Sequence, residues 1–107
     1  NRRSNASYLS TKANILRHRK EFEEAENCLK HAIKLEPDNP VHYGGMAQLY
    51  FDQAKEAASE GKRQPILIYN EKAETFLQKG LNKRGDSEPL LSIKHAIQQF
   101  ESGIGLR

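Results

Sequence analysis

The sequence predicts an all-α protein made of antiparallel helical hairpins that pack side by side. Three observations support this prediction. Apolar residues recur at helical spacing in separate segments, prolines and glycines stand between those segments, and the same helix–turn–helix pattern occurs twice. A chain of 107 residues fits a single domain, so we expect one domain over residues 1–107 with about five helices.

The first helix–turn–helix unit covers residues 6–39. The residues predicted to pack are Tyr8, Leu9, Ala13 and Leu16 on the first helix and Phe22, Ala25, Leu29, Ala32 and Ile33 on the second. Pro37 predicts that the second helix ends near Leu35, because the residue before a proline avoids the helical region. Asn39 and Pro40 then form a typical N-cap and first-turn proline for the next helix.

This first unit resembles a tetratricopeptide repeat over all of its 34 residues. In that family a small residue on the first helix faces a second helix with an aromatic, a small, a large apolar and another small residue, and a proline follows. The matching residues are Ala13, Phe22, Ala25, Leu29, Ala32 and Pro37. Lys12 departs from the pattern, because the family prefers leucine there. The resemblance implies a fragment of a tetratricopeptide-like α-solenoid.

Residues 40–87 carry a second and longer version of this unit. Its apolar residues are Tyr43, Met46, Ala47 and Tyr50 on the first helix and Ala73, Leu77, Gly80 and Leu81 on the second. The second-helix set lies 48 residues beyond its counterpart instead of 34, so 14 residues have been inserted. Gly61 and Pro65 predict that the lengthened hairpin turns near residues 60–64.

A last helix is predicted from about Ser87 to Ser102. Its apolar stripe consists of Leu90, Ile93, Ile97 and Phe100. Residues 88–102 are expected to cover the second unit as a capping helix, and the alternative is the first helix of a partial third repeat.

The resemblance also implies a binding function, because the first helices of such units line a concave surface. The residues expected on that surface are Ser10, Asn14, Arg17, Gly44, Gln48, Phe51 and Asp52. Asn14 falls where tetratricopeptide proteins often use asparagine to hold a ligand's backbone, and an amide both donates and accepts hydrogen bonds. The alternative is an exposed polar position without a ligand. We therefore predict a scaffold or adaptor that binds a peptide or helix of a protein partner, with further repeats or self-association as additional contacts.

The inserted segment offers a second candidate contact patch. Ile66, Leu67, Ile68 and Tyr69 are four consecutive large residues at the start of the lengthened helix. One face of this run is expected to pack near Ala54 and Ala58. The other face would be exposed in an isolated hairpin, and we expect the last helix or another part of the protein to cover it. The alternative is that this face forms a contact patch of Ile66, Leu67 and Tyr69.

Nucleic-acid binding is the alternative function of a different class. The net charge is +3, and basic residues cluster toward the N-terminal end: Arg2, Arg3, Lys12, Arg17, Arg19 and Lys20. Pairs of basic residues also occur at the predicted loops, Lys62 with Arg63 and Lys83 with Arg84. Acidic residues are interspersed, and no ladder of aromatic residues for base stacking is visible.

The sequence offers no pattern for enzymatic or metal chemistry. The four histidines have no ligand spacing, and Cys28 with His31 is only half of the four-ligand set that structural zinc requires. No glycine-rich phosphate loop, paired acid and base, or activated nucleophile is apparent. We therefore expect no enzyme activity and no cofactor. The single cysteine favours a reducing compartment, so an intracellular, cytoplasmic location without a membrane span is expected.

Overall fold

The computed structural model describes residues 2–105, and the side chains of residues 5–105. The described part of the chain is all-helical, as predicted. Its five helices are α1 (Arg2–His18), α2 (Phe22–Leu35), α3 (Pro40–Ser59), α4 (Arg63–Lys83) and α5 (Glu88–Gly103).

The helix boundaries follow the local signals of the sequence. α2 ends at Leu35, two residues before Pro37, and the Asn39 side chain caps α3 by accepting a hydrogen bond from the Val41 amide at 3.0 Å. Pro40 occupies the first position of α3, where its missing amide hydrogen costs nothing. The α3–α4 turn lies at residues 60–62, and Gly61 supplies its positive φ of 72°.

The helices form two hairpins and a final helix. α1 packs on α2, and α3 packs on α4, while α3 also contacts both helices of the first hairpin. α5 lies against α3 and α4. With 20 and 21 residues, α3 and α4 are longer than α2 with its 14, so the second hairpin is lengthened as predicted.

One core runs through all five helices, because each hairpin turns small and large apolar residues toward its neighbours. The buried members are Ala13, Leu16, Ala25, Leu29, Met46, Ala47, Leu49, Tyr50, Phe51, Ala73, Leu77, Leu90 and Ile97. Ala25 and Ala32, which the hairpin packing requires to be inside, are fully buried. A smaller cluster of Ala54, Ala57 and Ile66 holds the lengthened part of the second hairpin together.

The placement of Tyr8 on the packing face was wrong. Tyr8 is 64% exposed, and Ala6 takes the buried position at this end of α1. No described helix lies on the side of α1 to which Tyr8 belongs, since α1 contacts only α2 and α3.

Glycines allow the close approach of neighbouring helices. A Cβ on Gly45 of α3 would lie 2.8 Å from Leu29 Cδ2 of α2, which is shorter than a van der Waals contact. The glycine costs about 1 kcal/mol of helix propensity relative to alanine. The contact with Leu29 explains why α3 has glycine at position 45 despite the lower helix propensity.

Candidate functional site

A groove runs between α1 and α3 on one face of the stacked hairpins. Its volume is about 290 Å³. The lining residues are Ser10, Thr11, Ala13, Asn14, Arg17, Leu29, Val41 and Gly45. The groove forms because α1 and α3, the first helices of the two hairpins, lie side by side. Gly45 has no side chain, so the Leu29 side chain forms the floor of the groove.

A connected set of polar side chains lies along one edge of this groove. Arg17 forms an ion pair with Asp52 through Nη1, and its Nη2 donates to Asn14 Oδ1 at 2.6 Å. Gln48 Nε2 donates to Asp52 Oδ1 at 2.8 Å, and Lys55 Nζ lies 3.5 Å from the same oxygen. The Arg17 guanidinium is therefore held between α1 and α3.

The Asn14 side chain is well placed to contact a ligand. The Asn14 oxygen accepts a hydrogen bond from Arg17, so the Asn14 amide hydrogens face away from Arg17. Among the side chains that the structure describes, none accepts a hydrogen bond from Asn14 Nδ2, and the residue is exposed. Asn14 can thus donate to a carbonyl oxygen of a segment lying in the groove.

The structure brings together five of the seven residues expected on the concave surface. Ser10, Asn14, Arg17, Gln48 and Asp52 lie along or beside the groove.

Gly44 and Phe51 do not belong to this open surface, which corrects their expected role as contact residues. Both are buried beneath α5: a Cβ on Gly44 would lie 3.2 Å from Leu90 Cδ2, and the Phe51 ring meets Phe100 edge-on with centroids 5.5 Å apart. The sequence placed α5 as a cap, but its pattern does not show that the cap crosses these two positions of α3.

The remaining groove residues were not predicted to line the binding surface. Thr11, Ala13, Leu29, Val41 and Gly45 supply the walls and floor. The 34-residue spacing could have identified Val41, because its first-unit counterpart, Ser7, lies about one helical turn before Ser10 on α1.

A buried histidine links the first helix to the corner between α2 and α3. Ser10 Oγ lies 2.6 Å from His42 Nδ1, and His42 Nε2 lies 2.7 Å from Glu36 Oε1. Because an ionised carboxylate only accepts, Nε2 donates to Glu36, and in the neutral imidazole Nδ1 accepts from the Ser10 hydroxyl. His42 is only 2% exposed, so this chain of contacts ties the two hairpins together beside the groove.

The same three residue types form nucleophilic triads in hydrolases, so their surroundings matter. Acyl transfer also needs hydrogen-bond donors directed at the developing oxyanion. Ser10 lies inside α1, where the backbone amides donate to the carbonyls of the preceding turn. The backbone around Ser10 therefore offers no free donors for an oxyanion, and the geometry is that of a structural connection.

The candidate contact patch on the inserted segment is divided by the structure. Ile66 is buried against Ala54 and Ala57, and Tyr69 is half-buried with its ring 6.5 Å from that of Tyr50. These two residues therefore pack inside the hairpin, which corrects their assignment to an exposed patch. Leu67 stays exposed, and so does Ile68 at 51%.

Tyr50 connects the core to α2. Its hydroxyl donates to Glu26 Oε2 across the two hairpins. Desolvation by burial raises the pKa of the Tyr50 hydroxyl above its ordinary value, and the hydrogen bond to Glu26 raises it further. Tyr50 is thus held in its neutral, hydrogen-bond-donating form.

The described residues also bear on metal binding and on membrane insertion. Within residues 5–105, no group of three or more His, Cys, Asp and Glu side chains is arranged to hold a metal ion. No helix in the described part of the chain is both long and apolar enough to cross a bilayer.

Comparison with known protein families gives a match over the first unit. The family model described as "Tetratricopeptide repeat" matches residues 6–39, the unit that forms α1, α2 and the corner before α3. No curated protein and no solved structure matches the chain. Tetratricopeptide repeats are in general protein–protein interaction modules. The match, together with the burial of Ala13, Ala25 and Ala32 between the two helices, identifies residues 6–39 of this chain as a tetratricopeptide repeat.

Proposed function

We propose that this protein is a helical-repeat scaffold that binds an extended segment of a protein partner in the groove between α1 and α3. The observation that carries the proposal is the groove itself, with an apolar floor at Leu29 and a preorganised polar edge at Asn14 and Arg17. An extended peptide has unpaired backbone carbonyls and amides, and an amide side chain satisfies either of them.

The second hairpin, residues 40–87, acts in this proposal as an elongated repeat of the same kind, and α5 caps it. The counterparts of Ala13 and Leu16 in α3 are Ala47 and Tyr50, and all four are buried. The elongated hairpin supports the groove from one side, because Gln48 and Asp52 of α3 hold Arg17 of α1 in place.

In this proposal the charged and the uncharged groups of the polar edge have different roles. Arg17 and Asp52 neutralise one another, so the edge does not demand a charged ligand. The free hydrogens of Asn14 and the exposed Val41 side chain then favour a ligand with a backbone carbonyl and an apolar side chain next to each other.

The test uses peptides selected from a random displayed library for binding to the purified chain. Their affinity is measured by fluorescence anisotropy for the wild-type chain, for an Asn14→Ala, Gln48→Ala double variant and for a Gln99→Ala control on the exposed side of α5. We expect the double variant to lose about tenfold or more in affinity, since groups at the centre of an interface carry most of the binding energy. Unchanged binding by a folded double variant would refute the groove as the site.

Nucleic-acid binding is less well supported by the contacts. Several of the basic side chains noted in the sequence pair with acids: Arg17 with Asp52, Lys20 with Glu56, Lys62 with Glu60, Lys83 with Asp38 and Arg84 with Asp86. The side chains of Arg2 and Arg3 lie outside the described residues. Salt dependence separates the two functions, because phosphate binding weakens steeply with salt through counterion release.

A further inference from the structure

The internal repeat allows the exposed face of α1 to be compared with the same face of α3. The matched unit is 34 residues long. Each residue of α1 therefore corresponds to the residue 34 positions later in the sequence, which lies in α3. Tyr8, Thr11 and Ile15 of α1 therefore correspond to His42, Gly45 and Leu49 of α3. Residues spaced in this way lie on one face of a helix.

In α3 this face is covered by the first hairpin. His42 contacts Ser10 and Glu36, Gly45 lies against Leu29, and Leu49 is fully buried. The covering element is an antiparallel pair of helices, and its second helix lies closest. This face of α3 therefore packs against a helix.

In α1 the same face is open and apolar. Tyr8 is 64% exposed and Ile15 is 54% exposed, whereas their counterparts His42 and Leu49 are 2% and 0% exposed. Two large apolar side chains seven residues apart form a stripe two helical turns long. An open stripe of this kind marks a contact site.

The charges beside this stripe differ from those in α3. Lys12 of α1 stands where α3 has Met46, which is fully buried, and Arg19 follows one turn beyond Ile15. Neither Lys12 nor Arg19 forms an ion pair with any side chain among residues 5–105, and α1 contains no acidic residue. A helix that covered this face with apolar groups alone would leave the Lys12 ammonium buried without a partner, which is costly.

We propose that the face of α1 formed by Tyr8, Lys12 and Ile15, together with Arg19 directly after the end of α1, docks an acidic amphipathic helix of a partner protein. The apolar side of that helix covers Tyr8 and Ile15, and its carboxylates pair with Lys12 and Arg19. None of these four residues lines the groove between α1 and α3, and the proposal does not depend on the function proposed for that groove.

The probe for this site is a designed 18-residue helical peptide with a leucine stripe flanked by glutamates, and a matched peptide carries lysine in place of each glutamate. Binding is measured by fluorescence anisotropy on the 107-residue chain, on Lys12→Glu and Ile15→Ser variants, and on a Lys34→Glu control on the exposed side of α2. Lys12 and Ile15 are exposed, so both variants should keep the wild-type circular dichroism.

We expect the acidic peptide to bind, and each of the two α1 variants to weaken it by about tenfold or more. The Lys34→Glu control should bind within twofold of wild type, and the lysine peptide should not bind. The Asn14→Ala, Gln48→Ala double variant should bind the acidic peptide as wild type does, because the groove is not used.

Three outcomes would overturn the proposal. The first is no binding of the acidic peptide, and the second is equal binding by wild type and Lys12→Glu. The third is a sedimentation measurement in which the wild-type chain dimerises and Lys12→Glu does not, since the occupant would then be a second copy of this chain.

Discussion

Gly80 of α4 lies directly against Leu90 of α5. A Cβ on residue 80 would stand 2.8 Å from Leu90 Cδ1 and 3.1 Å from Tyr43 Cβ, so the missing side chain is what allows α5 to lie on the second hairpin. Leu90 is 1% exposed, so its side chain is enclosed by its neighbours. At the position of Gly80 the tetratricopeptide pattern has a small residue with a Cβ. The contact with α5 explains why this chain has glycine there instead.

Gly80→Ala should lower the free energy of unfolding even though alanine favours helix. The gain in propensity is up to about 1 kcal/mol, whereas overpacking a filled site costs about 1–3 kcal/mol. We expect a net loss of roughly 1–2 kcal/mol in urea unfolding. The matched control is Gly103→Ala near the end of α5, where a Cβ meets nothing within 4 Å. A Gly80→Ala variant as stable as that control would contradict the close packing of α5.

Tyr50→Phe tests the hydrogen bond between α3 and Glu26 of α2. Removing the hydroxyl should cost about 1–2 kcal/mol at neutral pH, because Glu26 loses a donor. The raised pKa of Tyr50 also predicts a pH dependence. Below the unfolded pKa near 10 its contribution to stability is fully present. As pH rises above that value the unfolded state loses its proton first, and the contribution declines.

The measurement for Tyr50 is urea unfolding of wild type and variant at pH 7 and above pH 10. The stability difference between the two proteins should shrink at the higher pH. Tyr8→Phe is the control, because Tyr8 is exposed and its removal should leave the difference from wild type small at both pH values. A constant difference for Tyr50→Phe would disprove the pKa shift.

Ile66 and Ile68 differ in environment although they are two residues apart. Ile66 is 6% exposed in the cluster with Ala54 and Ala57, and Ile68 is 51% exposed. We expect Ile66→Ala to cost roughly 2–4 kcal/mol and to speed amide hydrogen exchange in the lengthened turns. Ile68→Ala should stay within about 0.5 kcal/mol of wild type. Similar losses for the two variants would mean that the lengthened hairpin does not pack as described.

The sequence was sufficient for the helices and for the pairing of the first hairpin. Apolar spacing located the buried faces, and Pro37, Asn39 and Gly61 fixed the ends, because caps and prolines act within a few residues. The lengthened hairpin could also be predicted, since the insertion changes the spacing between two recognisable apolar patterns.

The site was predicted only in part, because its surface depends on contacts between distant segments. The sequence around Phe51 does not indicate that Phe100 covers it. The sequence around Tyr8 does not indicate that its side of α1 stays open. Likewise the bridge from Ser10 through His42 to Glu36 joins residues from three elements. Such long-range pairings need the stacked arrangement and not only the periodicity of each helix.

The central claim is that a partner segment lies in the groove between α1 and α3, and side-chain amide NMR tests it most directly. A peptide selected for binding is titrated into ¹⁵N-labelled protein while the NH₂ resonances of Asn14 and Gln48 are followed. The account predicts that both resonances shift and saturate with the peptide, while those of Gln99 on α5 stay in place. Shifts confined to α4 and α5, with Asn14 and Gln48 unmoved at saturation, would contradict it.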